Sequence, residues 1–505
     1  MEINVVQGNI VNSTADTLIV NLFEGVAASG GAPGGATGAL DAALEGAISE
    51  LIAQGDLSGK AGEVRVLYPR GAIPAKRALV VGLGPAEKFD LEGARRASAT
   101  AVQQARALKA QSVATIVHGG GIAGLPAEAA AQATAEGALL ALYRYDAPRQ
   151  AEEPPHDLAA LTIVEFDAGK LPAIEAGVHT AVAIHAGVAL ARDLVNMPPN
   201  VATPTRMAET AVAIAAAHGL VVTIGEREWA AERQMGAFLA VAQGAGEPPK
   251  FIVLEHNGAA ETAETIVLVG KGITFDTGGI SIKPSERMGA MKSDMGGAAA
   301  VLGAMRAIAE LKLPLRVIGV APCTENMPDA HAYRPADVIT AGNGKTIEII
   351  STDAEGRMVL ADALVYAGQY EPAVVVDLAT LTGACVVALG QGVAAGLFSN
   401  DDGLRDQLVN AGQATHERVW PLPLWEEYRE SIKSDVADMK NSGGRFGGVG
   451  TSAVFLQQFV DYPWAHLDIA GMALSEKENS YTPAGGTGFG VRLLVEFLRQ
   501  RARPG

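Results

Sequence analysis

Two stretches of the 505-residue chain set charged side chains into sequence that is otherwise apolar and glycine-rich. The first runs Val269-Gly-Lys271-Gly-Ile-Thr-Phe-Asp276-Thr-Gly-Gly-Ile-Ser-Ile-Lys283 and continues to Met291-Lys-Ser-Asp294-Met-Gly-Gly. The second is Ser351-Thr-Asp353-Ala-Glu355-Gly-Arg357-Met. Lys271 directly follows a strand-like run, Thr265–Gly270, and is expected near that strand's carboxyl end, where open α/β sheets place ligand crevices. Asp276 abuts Thr277-Gly-Gly279, a backbone free enough to aim the carboxylate inward. Asp294 precedes a helical run from Met295 and is expected at its amino end. Asp353, Glu355 and Arg357 are spaced by two, so an extended backbone would turn all three to one face. Four carboxylates would then meet two lysines and an arginine.

Each residue alone has a plainer role. Asp294 suits a helix N-cap; Asp353 and Glu355 suit a solvated strand face, the lysines surface charge, and Arg357 a salt bridge. Together they are harder to explain this way, because clustered carboxylates repel unless cations neutralise them. Two solutions stay open on the residues alone. One is an ion-pair network with the lysines and the arginine. The other is a site for hard or borderline cations such as Mg²⁺, Mn²⁺ or Zn²⁺, which favour oxygen-rich ligand sets.

Other chemistries are excluded or weak. None of the nine histidines pairs at i, i+4, and His416-Glu417 has no second histidine behind it, so a zinc-protease helix is absent. No G-x-S-x-G nucleophile elbow occurs. Gly344-Lys345-Thr346 resembles the end of a phosphate loop, but Ile339 stands where that loop needs glycine. Gly82-Leu-Gly84 lacks a third glycine and reads as a turn after a strand. Cys323 and Cys385 lie in or beside apolar strands and read as buried packing residues. The formal charge of −17, with no long basic run, argues against nucleic acid. Two cysteines and an amino terminus without a secretory pattern predict a soluble cytoplasmic protein. The uncharged stretch Leu378–Asn400 is interrupted by glycine and threonine, and is expected to form a buried strand followed by Gly-rich loops rather than a membrane span.

The elements that must position these groups follow from hydrophobic period. Thr17–Phe23, Arg77–Gly82, Ser112–Val117 and Leu161–Phe166 read as strands, and Leu91–Lys109 and Pro126–Leu142 as helices. Ala147–His156, polar and proline-rich, reads as an exposed connection. A helix from about Ala173 ends at Asn196, because Met197-Pro-Pro-Asn200 cannot continue it. Further strands are expected at Thr265–Gly270, Leu315–Ala321 and Ala373–Leu378, with a hairpin from Val338 to Ile350 turning at Asn343-Gly344. The predicted architecture is α/β with two domains, each a mostly parallel sheet flanked by helices, joined by a long helix. The expected limits are 1–170 for an amino-terminal domain of open role and 171–505 for a catalytic domain with its linking helix.

The second charged stretch resembles the N-T-D-A-E-G-R-L signature of leucyl aminopeptidases, the M17 dinuclear metallopeptidases, with Ser351 for Asn and Met358 for Leu. Val269–Gly279, Lys292–Gly297, Asp377–Gly383, Leu194–Asn200 and Trp464–Gly471 resemble further family blocks in order and spacing, and the likeness covers about 190–490. This resemblance implies hydrolysis of amino-terminal residues, Leu and others, from peptides by a two-metal mechanism with a bridging water or hydroxide. It implies Asp276 and Glu355 bridging two Mn²⁺ or Zn²⁺ ions, Asp353 completing one site, and Lys271 and Asp294 completing the other. Lys271 must then be a neutral amine, which burial and an adjacent dication both favour. The resemblance also implies an oxyanion role for Lys283, a bicarbonate at Arg357, and a side-chain pocket including Met291, Thr380 and Gly383. It implies a homohexamer in the cytoplasm. The competing expectation is a nucleic-acid or nucleotide-binding protein with secondary or lost peptidase activity; a purely structural metal site is a third.

Overall fold

A computed structural model describes residues 1–26, 33–120, 124–147, 156–258 and 264–503. The connection expected at 147–156 lies almost wholly outside these residues. The chain divides into two compact units, Met1–His185 with Glu478–Pro483, and Ala186–Lys477 with Ala484–Gly505. The helix Leu171–Asn196 runs from the first into the second. With the 3-10 turn before it, the span Ala168–Asn196 is long and apolar enough to cross a membrane, its most apolar window having mean hydropathy 1.4, yet half of that window is buried inside the protein.

The first unit holds six strands: β1 (Glu2–Gln7), β2 (Thr17–Phe23), β3 (Val64–Leu67), β4 (Arg77–Gly84), β5 (Ser112–Thr115) and β6 (Ala160–Glu165). Their order is β1-β6-β5-β2-β4-β3, all parallel except β3 at the edge. β1 and β3 are half-exposed edge strands without a long apolar run, which is why the sequence did not mark them. Gly82 and Gly84 lie inside β4 rather than in a turn after it. A Cβ on Gly82 would fall 2.0 Å from Lys60 O, so this glycine serves a close backbone approach.

The second unit is built on a larger sheet: β7 (Val221–Gly225), β8 (Lys250–Asn257), β9 (Thr265–Gly270), β10 (Gly272–Asp276), β11 (Arg316–Asn326), β14 (Val374–Ala379), β15 (Ala395–Ser399), β16 (Val419–Pro421) and β18 (Trp464–Asp468). A small separate sheet takes β12 (Val338–Thr340), β13 (Thr346–Glu348) and β17 (Met439–Lys440). The large sheet runs β16-β15-β18-β14-β9-β11-β8-β7, with β10 paired to β11. β18, β14, β9 and β11 form its parallel centre. Alternation puts Val267, Val269, Ile318, Val320 and Val375 in one core cluster with Met358, Val359 and Leu360 of the helix Glu355–Ala367. Gly319, on the opposite face, meets Met305 and Val301 of the helix Gly296–Glu310. Helices therefore cover both faces, as parallel strands require.

Two local expectations are corrected. β12 and β13 do pair as a hairpin, with Thr340 opposite Thr346. Their loop is five residues long, however, and only Gly344 takes a positive φ (83°), so Asn343-Gly344 is not a two-residue turn. Beyond β14, the uncharged stretch contains a short helix, Gly383–Leu389, and then β15, rather than Gly-rich loops alone. Thr382 opens that helix by accepting the Cys385 N–H, a cap that was present in the sequence but hidden by the surrounding glycines.

The helices Leu171–Asn196 and Gly296–Glu310 touch backbone to backbone. A Cβ on Gly187 would lie 2.3 Å from Gly303 O, and one on Gly303 2.4 Å from Gly187 O. Gly303→Val must separate the two helices, and is expected to destabilise the protein by about 1–3 kcal/mol. Thermal melting will check this against Gly246→Ala, whose Cβ meets nothing within 4 Å and which should leave the midpoint unchanged.

Candidate metal centre

The parallel centre of the large sheet ends at the charged residues. Lys271 sits between β9 and β10, Asp276 closes β10, Thr380 follows β14, and Asp468 closes β18. Lys271 is fixed through its backbone: its N–H donates to Leu378 O (3.0 Å) and its carbonyl accepts the Ala298 N–H (2.9 Å). Gly278 and Gly279 both take positive φ (88° and 63°), folding the chain back so that the Lys283 N–H donates to Thr277 O. Thr352 joins the two charged stretches, its hydroxyl donating to Gly278 O (2.6 Å) and accepting from Ser281 N (2.8 Å).

The side chains then converge. Carboxylate oxygens of Asp276, Asp353 and Glu355 lie within 4.8 Å of one another. Lys271 Nζ stands 2.8 Å from Asp294 Oδ2 and 2.7 Å from Glu355 Oε1, and donates to Thr380 O at 2.9 Å. Lys283 Nζ contacts Asp276 Oδ2 (2.7 Å) and Asp353 Oδ1. Asp276 Oδ1 accepts from Gly278 N and from Asn326 Nδ2, and Asp294 Oδ1 from Thr380 Oγ1 at 2.7 Å. The Arg357 guanidinium, also buried, donates from Nη1 to Asn441 O (2.8 Å).

Electrostatics here is dominated by burial. It pushes the carboxyls of Asp276, Asp294 and Asp353 up, and neighbouring acids add to that at each of them. Burial also pulls the Lys271 ammonium down, but Asp294, Glu355 and Asp276 outweigh it and hold the pKa above the ordinary lysine range. Burial therefore acts in the expected direction, but among these acids it does not prevail. Burial lowers Arg357 to about 10, opposed by Glu355, Asp468 and Asp353.

The donor set fits divalent ions. It is rich in hard carboxylate oxygens, and Glu355 Oε2 is buried with no hydrogen-bond partner. A buried carboxylate oxygen left in that way is unfavourable unless it meets a cation.

Seven expected residues meet in this cluster: Lys271, Asp276, Lys283, Asp294, Asp353, Glu355 and Thr380. The extended backbone expected at 353–357 is not what joins the last acids. Asp353 lies in a turn and Glu355 begins the helix Glu355–Ala367, where residues two apart stand about 200° apart around the axis. The bend brings Asp353 and Glu355 together and leaves Arg357 one step along the helix. Asp294 does not cap the helix Gly296–Glu310, which has no side-chain cap. Met291 lies on the short 3-10 helix Met288–Ser293, and Gly383 starts the exposed end of its helix; no polar side-chain contact ties either to the cluster among the described residues. Ser351 Oγ accepts the Asp353 N–H at 3.2 Å, as an asparagine in its place could also do.

Asn326 and Asn441, which help to hold the cluster, carried no motif by which to find them, and Asp468 lay in a family-like block that gave it no role. Asn326 binds Asp276 from the end of β11. Asn441 accepts from Ile350 and Ser351 N–H and donates to Ser351 O. Asp468 accepts from Leu381 N, Thr382 N, Thr382 Oγ1 and Ala470 N, pinning the loop that carries Thr380.

Residues 189–495 match the catalytic domain of the cytosol aminopeptidase family, and residues 19–152 its N-terminal domain. The chain is 50% identical to a "Probable cytosol aminopeptidase" of Syntrophotalea carbinolica over 447 residues, 88% of this chain and 89% of that one. It is 46% identical to a protein of the same description from Roseiflexus castenholzii over 503 residues, 99% of each. Among solved structures it is similar to a mutant of tomato leucine aminopeptidase, with TM-score 0.88, 37% identity, and coverage of 99% of this chain and 96% of that one. It is also similar to the bottromycin maturation enzyme BotP in complex with Mn, with TM-score 0.83, 38% identity, and coverage of 97% and 100%. Fold and relatives together define a metal-dependent aminopeptidase. More narrowly, the chain belongs to the cytosol aminopeptidase family.

Gly356 shows how tightly the cluster is built. A Cβ there would lie 2.6 Å from both Cε and Nζ of Lys271. Gly356→Ala is expected to keep the fold by circular dichroism and to lower kcat/KM for Leu-p-nitroanilide by about 100-fold, because a shift near 1 Å misaligns the Lys271 amine.

Proposed function

We propose that the cluster holds two divalent ions, Mn²⁺ or Zn²⁺, and removes amino-terminal residues, Leu among others, from peptides. Lys271 and Asp294 would hold one ion, Asp353 the other, with Asp276 and Glu355 shared between them. The observation that carries this reading is the meeting of Asp276, Asp353 and Glu355 oxygens within 4.8 Å, beside a lysine wedged between Asp294 and Glu355. The Mn named with BotP supports manganese as one choice.

When bound, the ions supply Lewis-acid polarisation of the scissile carbonyl, an activated water at neutral pH, and a position for the substrate's neutral α-amine. Lys283 is the cluster's accessible cation, 21% exposed, and its ammonium stabilises negative charge developing on the carbonyl oxygen. Arg357 keeps donors beyond its bond to Asn441, since its Nε is buried without a hydrogen-bond partner. Those donors suit a bicarbonate, a planar anion that a guanidinium grips with paired hydrogen bonds and that can take a proton where no histidine stands. Thr380 is held against Asp294 and Lys271, and with Met291 and Gly383 it lines the side-chain pocket. An apolar pocket separates substrates by only about 1–3 kcal/mol per methylene, which gives broad preference. The domain limits 1–170 and 171–505, a homohexamer and a cytoplasmic location complete the reading. Loss of peptidase activity, the alternative, is disfavoured by a complete set of acids and lysines.

Exhaustive chelation is expected to abolish Leu-p-nitroanilide hydrolysis, and Mn²⁺ or Zn²⁺ to restore it. Asp276→Ala should lower kcat by at least about 1,000-fold and reduce bound metal by elemental analysis, with the melting transition retained. Turnover by metal-free protein, or full metal content in Asp276→Ala, would refute the assignment.

A further inference from the structure

The ends of β10 and β11 lie side by side, with Asp276 opposite Asn326. Asn326 is buried, and its side-chain amide reaches two ways. Nδ2 donates to Asp276 Oδ1 at 2.8 Å and to Thr352 O at 3.0 Å. One amide therefore ties a carboxylate of the first charged stretch to the backbone of the second, one residue before Asp353. Its orientation is forced. Turned over, it would set its oxygen against the Asp276 carboxylate and the Thr352 carbonyl, which only accept hydrogen bonds. The opposite end shows what this orientation costs, since Asn326 Oδ1 is buried with no hydrogen-bond partner. Such an atom is unfavourable by itself, so the two donated bonds are what hold the amide this way round. Gly279, at φ 63°, leaves it room: a Cβ there would lie 2.8 Å from Asn326 Oδ1.

The two sides of the cluster depend on this tie unequally. Lys271 and Asp294 are held by Thr380, through its carbonyl and its hydroxyl. The backbone of Lys271 is fixed by Leu378 and Ala298. None of these bonds passes through Asn326. Asp353 is the most exposed acid of the cluster, its side chain 39% exposed against 8% or less for Asp276, Asp294 and Glu355. Its place rests on the turn that Thr352 anchors. Asp276 Oδ1 also accepts the Gly278 N–H, so losing Asn326 would not release that carboxylate. It would release the spacing between Asp276 and Asp353.

We propose that Asn326 is a positioning residue that sets this spacing, and so governs the hold on the ion that Asp353 completes while leaving the ion of Lys271 and Asp294 nearly untouched. This inference rests on the two-ion reading above.

Titration of the metal-free full chain with Mn²⁺, counting free Mn²⁺ by electron paramagnetic resonance, tests it. The wild type is expected to take two ions. Asn326→Ala should loosen one of them about 10- to 100-fold and the other by less than about threefold. Hydrolysis of Leu-p-nitroanilide should then fall at limiting Mn²⁺ and recover at saturating Mn²⁺, which a merely structural defect would not do. Asp353→Asn should loosen the same ion, and adding Asn326→Ala to it should change that affinity by less than about threefold. Asn326→Ser, too short to reach both acceptors, carries the same expectations should Asn326→Ala fail to fold. Tyr333→Phe is the control. The buried Tyr333 hydroxyl donates to Thr352 O at 2.9 Å but does not bond Asp276, and its loss should change either affinity by less than about threefold. Two ions held as tightly in Asn326→Ala as in the wild type, or both loosened alike, would overturn the proposal and leave the two-ion reading standing. So would Tyr333→Phe loosening one ion as much as Asn326→Ala, because any lost bond to Thr352 would then suffice. Fewer than two ions on the wild type would overturn the two-ion reading and this inference with it.

Discussion

Repulsion among buried carboxylates is the constraint on which the catalytic half of this protein depends. Asp276, Asp294 and Glu355 are almost wholly buried and Asp353 stands beside them. Water cannot screen such charges well, so each must meet a cation or give up its own charge. Two lysines answer this by each spanning two acids: Lys271 between Asp294 and Glu355, Lys283 between Asp276 and Asp353. An oxygen set that receives ammonium groups at 2.7–2.8 Å is also one that suits a hard divalent ion. The chemistry of an aminopeptidase grows from that excess of negative charge.

Holding these groups against their repulsion requires close backbone contact around them. The first turn of the helix Gly296–Glu310 presses on the ends of β9 and β14, where a Cβ on Gly297 would lie 2.1 Å from Leu378 O and 2.9 Å from Lys271 N. Asn326, Thr352, Asn441 and Asp468 take up the loop amides and carbonyls between the strands. These buried hydrogen bonds fix the acids more firmly than exposed ion pairs do. The rigidity lies in hydrogen bonds to the backbone of these loops rather than in the ion pairs themselves.

Each of the two units gathers polar side chains at the carboxyl ends of its parallel strands. One collects carboxylates and suits cations. The other opens a cavity lined by Asn21, Glu165 and Lys170 among the described residues. Both follow from the same rule, that parallel strands deliver their following loops to one edge of a sheet.

The sequence by itself determined much of this. Apolar runs placed β2 and β9 at their observed limits and β4, β6, β11 and β14 within a few residues, because buried parallel strands need continuous apolar side chains. Spacing and residue type singled out the acids and lysines that meet in the charged cluster. What it could not supply were the half-exposed strands β1 and β3, the five-residue loop at Asn343-Gly344, and the bend that begins a helix at Glu355. Each of these depends on partners distant in the chain. The roles of Asn326, Asn441 and Asp468 were equally hidden, since a single polar residue has no period and declares itself only through what it touches. Tertiary structure alone decided the electrostatic surroundings of Lys271, because they are set by Asp294 and Glu355, which lie 23 and 84 positions further along the chain. Local sequence fixes where side chains can point, whereas the energy of a buried charge depends on all its neighbours in space.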